Sequence, residues 1–188
     1  MLIGAIDIGY TNLGIVIANV ENYEIKYIYF CKRVNIGNYN CKNKECKIPH
    51  TREVCDIVAH FVQEYNSYLL KCDIILVERQ PPGGLGNVES VICYIFRPKI
   101  QWVSPTSMHK HHMISHYDYE GRKVKTEEIA SEWLKGIYGY DKEVRKHDMA
   151  DAMCMILFWA QPKRREIERK KRQEELRQDL DLERFKCC

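Results

Sequence analysis

The chain opens on apolar runs broken by short polar stretches. "LIGAIDI", "LGIVIANV" and "EIKYIYFCKRV" each read as a β-strand, with Glu21 and Asn22 near the turn between the last two. Three such segments in succession predict an antiparallel meander. The polar stretch "NIGNYNCKNKECKIPH" predicts a loop. From Thr51 the period changes: Val54, Ile57, Val58, Phe61, Val62, Tyr65 and Leu69 recur at three- and four-residue steps, the mark of an amphipathic helix. "CDIILVERQ" predicts a short strand ending in Glu78, and "PPGGLGN" a loop. "VESVICYIF" predicts a helix, and "KIQWVSP" a strand terminated by Pro105. A polar region follows from His109 to Lys125, with a turn at Gly121. Thr126 then has the chemistry of an N-cap for "EEIASEWLKGI". "HDMADAMCMILFWAQ" predicts a second strong helix, closed by Pro162.

This order, βββ, α, β, α, β and then helices, predicts an α/β fold with a mixed sheet flanked by helices. The 188 residues fit one domain with a sizeable core. Residues 1–161 are assigned to that domain and 162–188 to a charged, helical tail.

Charge changes the picture only at the C-terminus. The formal net charge of +3 is carried by residues 162–188, which hold 10 Lys+Arg and 7 Asp+Glu. The remaining 19 of each leave the body neutral. Lys163 to Arg172 holds 7 basic and 2 acidic residues. A basic run of this kind suits contact with the phosphates of a nucleic acid; the plainer reading is a solvated helix with pairs such as Glu166–Lys170 and Glu168–Arg172. No apolar run approaches the ~20 residues that span a bilayer, and "MLIGAIDIGY" lacks a basic signal-peptide region. The expectation is a soluble intracellular protein without a membrane partner. The nine cysteines are odd in number and irregularly spaced, and Cys55, Cys72, Cys93 and Cys154 sit in apolar segments. Free thiols rather than a disulfide framework are expected.

Four acidic residues stand out because their neighbours are apolar. Asp7 lies inside the first strand and Glu78 ends the fourth. Asp148 and Asp151, three apart, share one face of a helix. Singly, each has a structural explanation: a helix cap or dipole partner for Asp148 and Asp151, a strand end for Glu78, a turn contact for Asp7. Together they point further. If the first and fourth strands are neighbours, Asp7 and Glu78 lie side by side, and a helix on that sheet brings the other two to the same spot. Converging carboxylates raise each other's pKa unless cations neutralise them. Hard oxygen ligands suit Mg²⁺ or Mn²⁺, and two such ions activate a water and stabilise the leaving oxygen of a phosphodiester. Gly9 lets the chain turn just past Asp7 and leaves room beside it.

The segments "IDIGYTNLGIVIANV", "DIILVERQ", "IQWVSPTSMHKHHM", "GRKVKTEEIASEWL" and "RKHDMADAMCMILFWA" occur in the order seen in RuvC-like nucleases, a branch of the ribonuclease H-like superfamily. The chain most resembles the poxvirus-type Holliday junction resolvases, over roughly residues 2–160. The "HDMADAM" helix and the "VERQ" strand end are the most specific parts; "DIGYTNLG" is much less so. The resemblance implies a ribonuclease H-like mixed five-stranded sheet, three antiparallel strands followed by two parallel. It implies Mg²⁺-dependent cleavage of branched DNA, four-way junctions above all, by a homodimer, leaving 5′-phosphate and 3′-hydroxyl ends. It implies Asp7, Glu78, Asp148 and Asp151 as metal ligands. Lys110 is the basic residue implied beside the scissile strand, with Lys123, Lys125 and Arg79 as further DNA contacts. A viral member would process replication and recombination intermediates, including concatemers, in the host cytoplasm.

Two other classes stay open on the residues alone. "DIGYTNLG" also resembles the first phosphate loop of actin-like ATPases and sugar kinases, but no second glycine-rich phosphate motif is visible. A non-catalytic DNA-binding module on the same fold would have no reason to keep four buried acids. Separately, "CKNKECKIPHTREVC" sets Cys41, Cys46, His50 and Cys55 at short intervals. These are candidate zinc ligands, but the gaps depart from the compact CxxC pattern. The reading favours an inserted polar loop with free thiols.

Overall fold

The computed structural model describes residues 1–38, 41 and 45–186. Its centre is a five-stranded sheet in the order β3-β2-β1-β4-β5. The strands are β1 (Leu2–Asp7), β2 (Leu13–Glu21), β3 (Glu24–Val34), β4 (Ile74–Glu78) and β5 (Ile100–Val103). β1 pairs antiparallel with β2, with Asp7 opposite Gly14. β2 pairs antiparallel with β3, as the meander predicts. β4 joins β1 in parallel, Ile6 beside Val77, and β5 continues in parallel on the far side of β4. The mixed five-stranded sheet expected from the sequence is the observed one.

Helices cover both faces. α1 (Val54–Leu69) and α2 (Gly86–Ile95) lie on one face; α4 (Tyr119–Leu134) and α6 (His147–Lys186) lie on the other. Two short helices, α3 (Pro105–His111) and α5 (Tyr138–Asp141), join them. The sides follow from strand parity, because successive side chains point to opposite faces. In β1, Ile3 and Ala5 pack with the α6 core, whereas Ile6 packs with the α1 core. In β4, Leu76 goes to the α6 side and Ile75 and Val77 to the α1 side. Continuing both alternations puts Asp7 and Glu78 on the α6 face.

Four expectations are corrected. α4 begins at Tyr119, capped by Asp118, whose carboxylate accepts the Gly121 N–H at 2.8 Å. Thr126 is therefore inside the helix, buried, and its hydroxyl turns back to the Lys123 carbonyl at 3.0 Å. Gly121 sits in the first turn of that helix rather than in a free turn, and the polar region before it includes α3, with Pro105 in its first turn. Pro162 does not close the last helix: α6 runs through it to Lys186. A proline inside a helix removes one N–H bond and crowds the preceding turn. Here the next turn is anchored, since the Lys163 ammonium lies 3.8 Å from the Trp159 ring centroid and 5.3 Å from that of Tyr23. Cys55, although it sits in an apolar segment, is exposed in the first turn of α1. No helix among the described residues is long and apolar enough to cross a membrane.

Candidate active site

The four singled-out carboxylates line one cleft of about 300 Å³. Asp7 ends β1 and Glu78 ends β4, so the parallel pairing sets them side by side on the α6 face. Asp148 and Asp151 lie in the first turns of α6. That helix can approach because β2 carries Gly14 opposite Asp7: any side-chain carbon there would fall 2.1 Å from the Asp148 carbonyl oxygen. Gly9 serves a similar end locally. A side-chain carbon at that position would fall 2.2 Å from the Asn12 carbonyl oxygen, so its space is taken by the chain's own turn.

Burial and mutual repulsion dominate the electrostatics. Asp7 is held well above the usual carboxylate range, first by burial and then by the charges of Glu78, Asp151 and Asp148. Burial also raises Glu78, although hydrogen bonds from Asp7 and Gln80 work the other way. The Gln80 amide donates to Glu78 at 3.2 Å. Asp151 is pushed up to about 7 by burial, with the charges of Glu78, Asp148 and Glu127 adding and the neighbouring Thr126 side chain opposing. Asp148 is treated differently: Arg145 grips both its oxygens, Nε at 2.8 Å and Nη2 at 3.2 Å. The His147 ring lies 3.6 Å from Glu127 and 3.6 Å from Asp148. Burial lowers its pKa, as it does that of His109.

Of the basic residues named from the sequence, Lys123 lines the cleft. Its ammonium pairs with Glu120 at 3.1 Å and lies 3.9 Å from the centre of the Tyr119 ring. Lys110 does not line it. α3 turns His109 into the cleft and buries Met108, which leaves Lys110 exposed on the outer side. Lys125 is outside the cleft too, bonded to Glu128 at 2.6 Å. Arg79 is exposed and lies over the Trp102 ring, 5.5 Å from its centroid. The residues missed are Arg145, Arg122, His109 and His147, all of which line the cleft. A helix starting at residue 119 puts Tyr119, Arg122, Lys123 and Thr126 on one face. Reading that stretch as a loop hid the signal.

The donor set fits a hard divalent cation. Four carboxylates gather in a partly buried cleft, and burial first, with mutual repulsion adding, raises the pKa values of Asp7, Glu78 and Asp151, as expected of acids placed to receive a cation. Asp148 is the qualified member, because Arg145 occupies both its oxygens.

Residues 1–163 match the family model described as poxvirus A22 protein. The chain belongs to the poxvirus A22 family. No curated protein matches the sequence at a significant level. Solved structures share the A22-family chain's fold. The fowlpox virus resolvase in complex with its substrate Holliday junction DNA is 16% identical, with a TM-score of 0.64, covering 86% of this chain and 98% of that one. The yeast mitochondrial Holliday junction resolvase Ydc2 is 18% identical, with a TM-score of 0.61, covering 91% and 85%. Thermus thermophilus RuvC is 18% identical, with a TM-score of 0.52, covering 84% and 92%. The RuvC-like architecture expected from the sequence is therefore the architecture of this A22-family member.

Proposed function

We propose that the chain is a divalent-metal-dependent endonuclease that resolves four-way DNA junctions and related branched DNA by paired hydrolytic nicks. The observation that carries this reading is the convergence of Asp7, Glu78, Asp148 and Asp151 in one cleft rimmed by Arg122, Lys123 and Arg145. Fold and family support it. The fowlpox virus protein with the same architecture was solved with its Holliday junction substrate, and the A22 family is poxviral, which fits processing of viral replication intermediates in the host cytoplasm.

Asp7, Glu78, Asp151 and, once Arg145 yields, Asp148 would hold two Mg²⁺ ions, with Mn²⁺ able to substitute. Bound there, such ions lower the pKa of a water and offset charge on the departing 3′ oxygen. The protein's own groups do the rest. Burial raises the pKa of both Asp7 and Glu78, so a cation bound between them would compete with protons. Arg122 and Lys123 are placed to hold the scissile phosphate against the carboxylates. Thr126, buried in α4, lies beside Asp151 and helps to place its carboxylate. Lys110, Lys125, Arg79 and the basic start of the tail would meet phosphates farther along the duplex arms. We keep the division at residues 161/162, which the end of the family match at residue 163 supports.

Two matched nicks across a two-fold symmetric junction require two related sites, hence a homodimer. The α2 face is our candidate surface, since Tyr94 and Ile95 there are exposed at 81% and 40%.

The test is cleavage of end-labelled four-way junctions, flaps and Y-forks in Mg²⁺, with product ends mapped. Symmetric nicks with 5′-phosphate ends are expected from the wild type. Asp7→Asn is expected to bind junctions and leave them uncut. An active Asp7→Asn enzyme, or nucleotide hydrolysis without DNA cleavage, overturns the reading.

A further inference from the structure

The polar stretch between β3 and α1 is a long connection for a compact domain, and loops of such length without secondary structure are uncommon unless something holds them. Residues 39–40 and 42–44 lie outside the described residues. Among the described residues, the donor atoms of Cys41, Cys46, His50 and His60 all lie within 4.8 Å of one another. The Cys46 thiol is 3.7 Å from Nδ1 of His60. The His50 and His60 rings are 4.6 Å apart between centroids. His60 is buried at 4% exposure, whereas Cys41 and Cys46 are half-buried and His50 is exposed.

We propose that Cys41, Cys46, His50 and His60 form a structural Zn²⁺ site that fastens the β3–α1 segment to α1. The chemistry is specific: two thiols and two imidazoles make the soft, four-coordinate donor set that zinc takes in closed structural sites. The geometry is close to it. Bond lengths of about 2.3 Å to sulfur and about 2.0 Å to nitrogen put tetrahedral ligand atoms roughly 3.3–3.8 Å apart. The Cys46–His60 separation of 3.7 Å already has that value. A contraction of about 1 Å across the widest pair completes the set. Four protein ligands leave no open position, so the site is structural and separate in residues and in donor type from the carboxylate cleft.

The structure changes the ligand set that the sequence suggested. Cys55 is not part of the cluster. It is exposed, and its thiol lies 3.8 Å from the Asp56 carboxylate. His60, five residues farther along α1, is turned about 140° from it around the helix axis. One helix face cannot offer both to the same loop, and the buried one is His60. The near end of the same segment is tied to the cleft's rim, because the Ile36 and Gly37 N–H groups both donate to the Tyr10 carbonyl at 3.0 Å. Zinc at Cys41, Cys46 and His50 and the Tyr10 carbonyl at Ile36 and Gly37 would then tie the segment to the domain at two separate places.

The deciding experiment is elemental analysis of the full-length protein purified without chelator. About one zinc per chain is expected. Cys46→Ser and His60→Gln are expected to lose most of it, while Cys55→Ser and Asp7→Asn retain it. Wild-type protein free of zinc even after incubation with excess Zn²⁺ overturns the proposal. So does a zinc-replete His60→Gln or a zinc-free Cys55→Ser. Should the ligand variants fail to fold, Co²⁺ substitution into the wild type decides: intense visible bands of a tetrahedral, thiolate-ligated ion are expected, and their absence overturns the site. A Cys41–Cys46 disulfide in anaerobically purified protein also overturns it. Withdrawing the metal with a chelator is expected to lower Tm by about 5 °C or more.

Discussion

Gly14 and Asp148 meet backbone to side-chain vacancy: a methyl group on Gly14 would stand 2.1 Å from the Asp148 carbonyl oxygen. Because Gly14 pairs with Asp7 across β1 and β2, this contact sets the height of α6 above the carboxylates of the sheet. Gly14→Ala must therefore lift or tilt the start of α6. Overpacking of this kind costs about 1–3 kcal/mol, which for a chain of this size lowers Tm by roughly 3–10 °C. Cleavage should fall by more than the stability loss explains, because small misplacements of catalytic groups are expensive. Thermal melts and single-turnover nicking of the folded variant check both. Undiminished cleavage would show that α6 does not set the site.

The pKa of Asp151 makes the stability of the cation-free protein depend on pH with a definite sign. Its carboxyl is pushed up to about 7 in the fold, against about 3.9 in an unfolded chain. Between those values the folded chain keeps a proton that the unfolded chain has released, so stability is greatest below about pH 4 for this group and falls as pH rises towards 7. Asp7 and Glu78, raised in the same sense, steepen the fall. Melts without added Mg²⁺ should show this decline, and Asp151→Asn should flatten it. The Tm gained on adding Mg²⁺ should be larger at pH 8 than at pH 5.5, because a cation competes with the protons.

Arg145 holds Asp148 in the place that a cation would take. The Asp148 side chain is only 7% exposed and Arg145 is 42% exposed. Arg145→Gln leaves a buried carboxylate without its partner, and after allowance for solvent screening of the half-exposed guanidinium the cost is about 1 kcal/mol. The same change frees Asp148, so the Mg²⁺ concentration giving half of the thermal shift should drop severalfold. An unchanged or higher Mg²⁺ requirement would mean that Asp148 does not contribute to the metal site.

Basic residues inside and outside the cleft should differ in kind. Arg122 and Lys123 line it; Lys110 does not. The Arg122→Ala/Lys123→Ala double variant should slow single-turnover cleavage at saturating enzyme by about a hundredfold. Lys110→Ala should leave that rate unchanged and reduce the salt slope of junction binding by about 1. Equal rate losses in both would place Lys110 at the reacting phosphate instead.

Much of this was legible along the chain. Period-2 and period-3.6 patterns marked the strands and the principal helices, because burial on one face leaves a repeat that needs no knowledge of partners. Asp7 and Glu78 were conspicuous for the same reason: a charge in an apolar strand requires a cause. The start of α4 was misplaced because Asp118 and Thr126 are both credible caps, and only packing shows that Thr126 lies inside, near Asp151. Pro162 predicts a stop because the local rule is strong, whereas the contact of Lys163 with Tyr23 comes from a distant hairpin.

The sequence by itself determined the five strands, the principal helices, their order, and the four acids that needed explanation. Those follow from local periodicity and from the cost of burying charge. Tertiary structure decided what meets what. It brought α6 onto Gly14, put Arg145 on Asp148, chose Lys123 over Lys110 for the cleft, and gathered His60 rather than Cys55 with Cys41, Cys46 and His50. Each of these depends on the rotation of one helix against the sheet or the loop beside it. A one-residue change in phase turns a side chain by about 100°, and only the packed fold selects that phase.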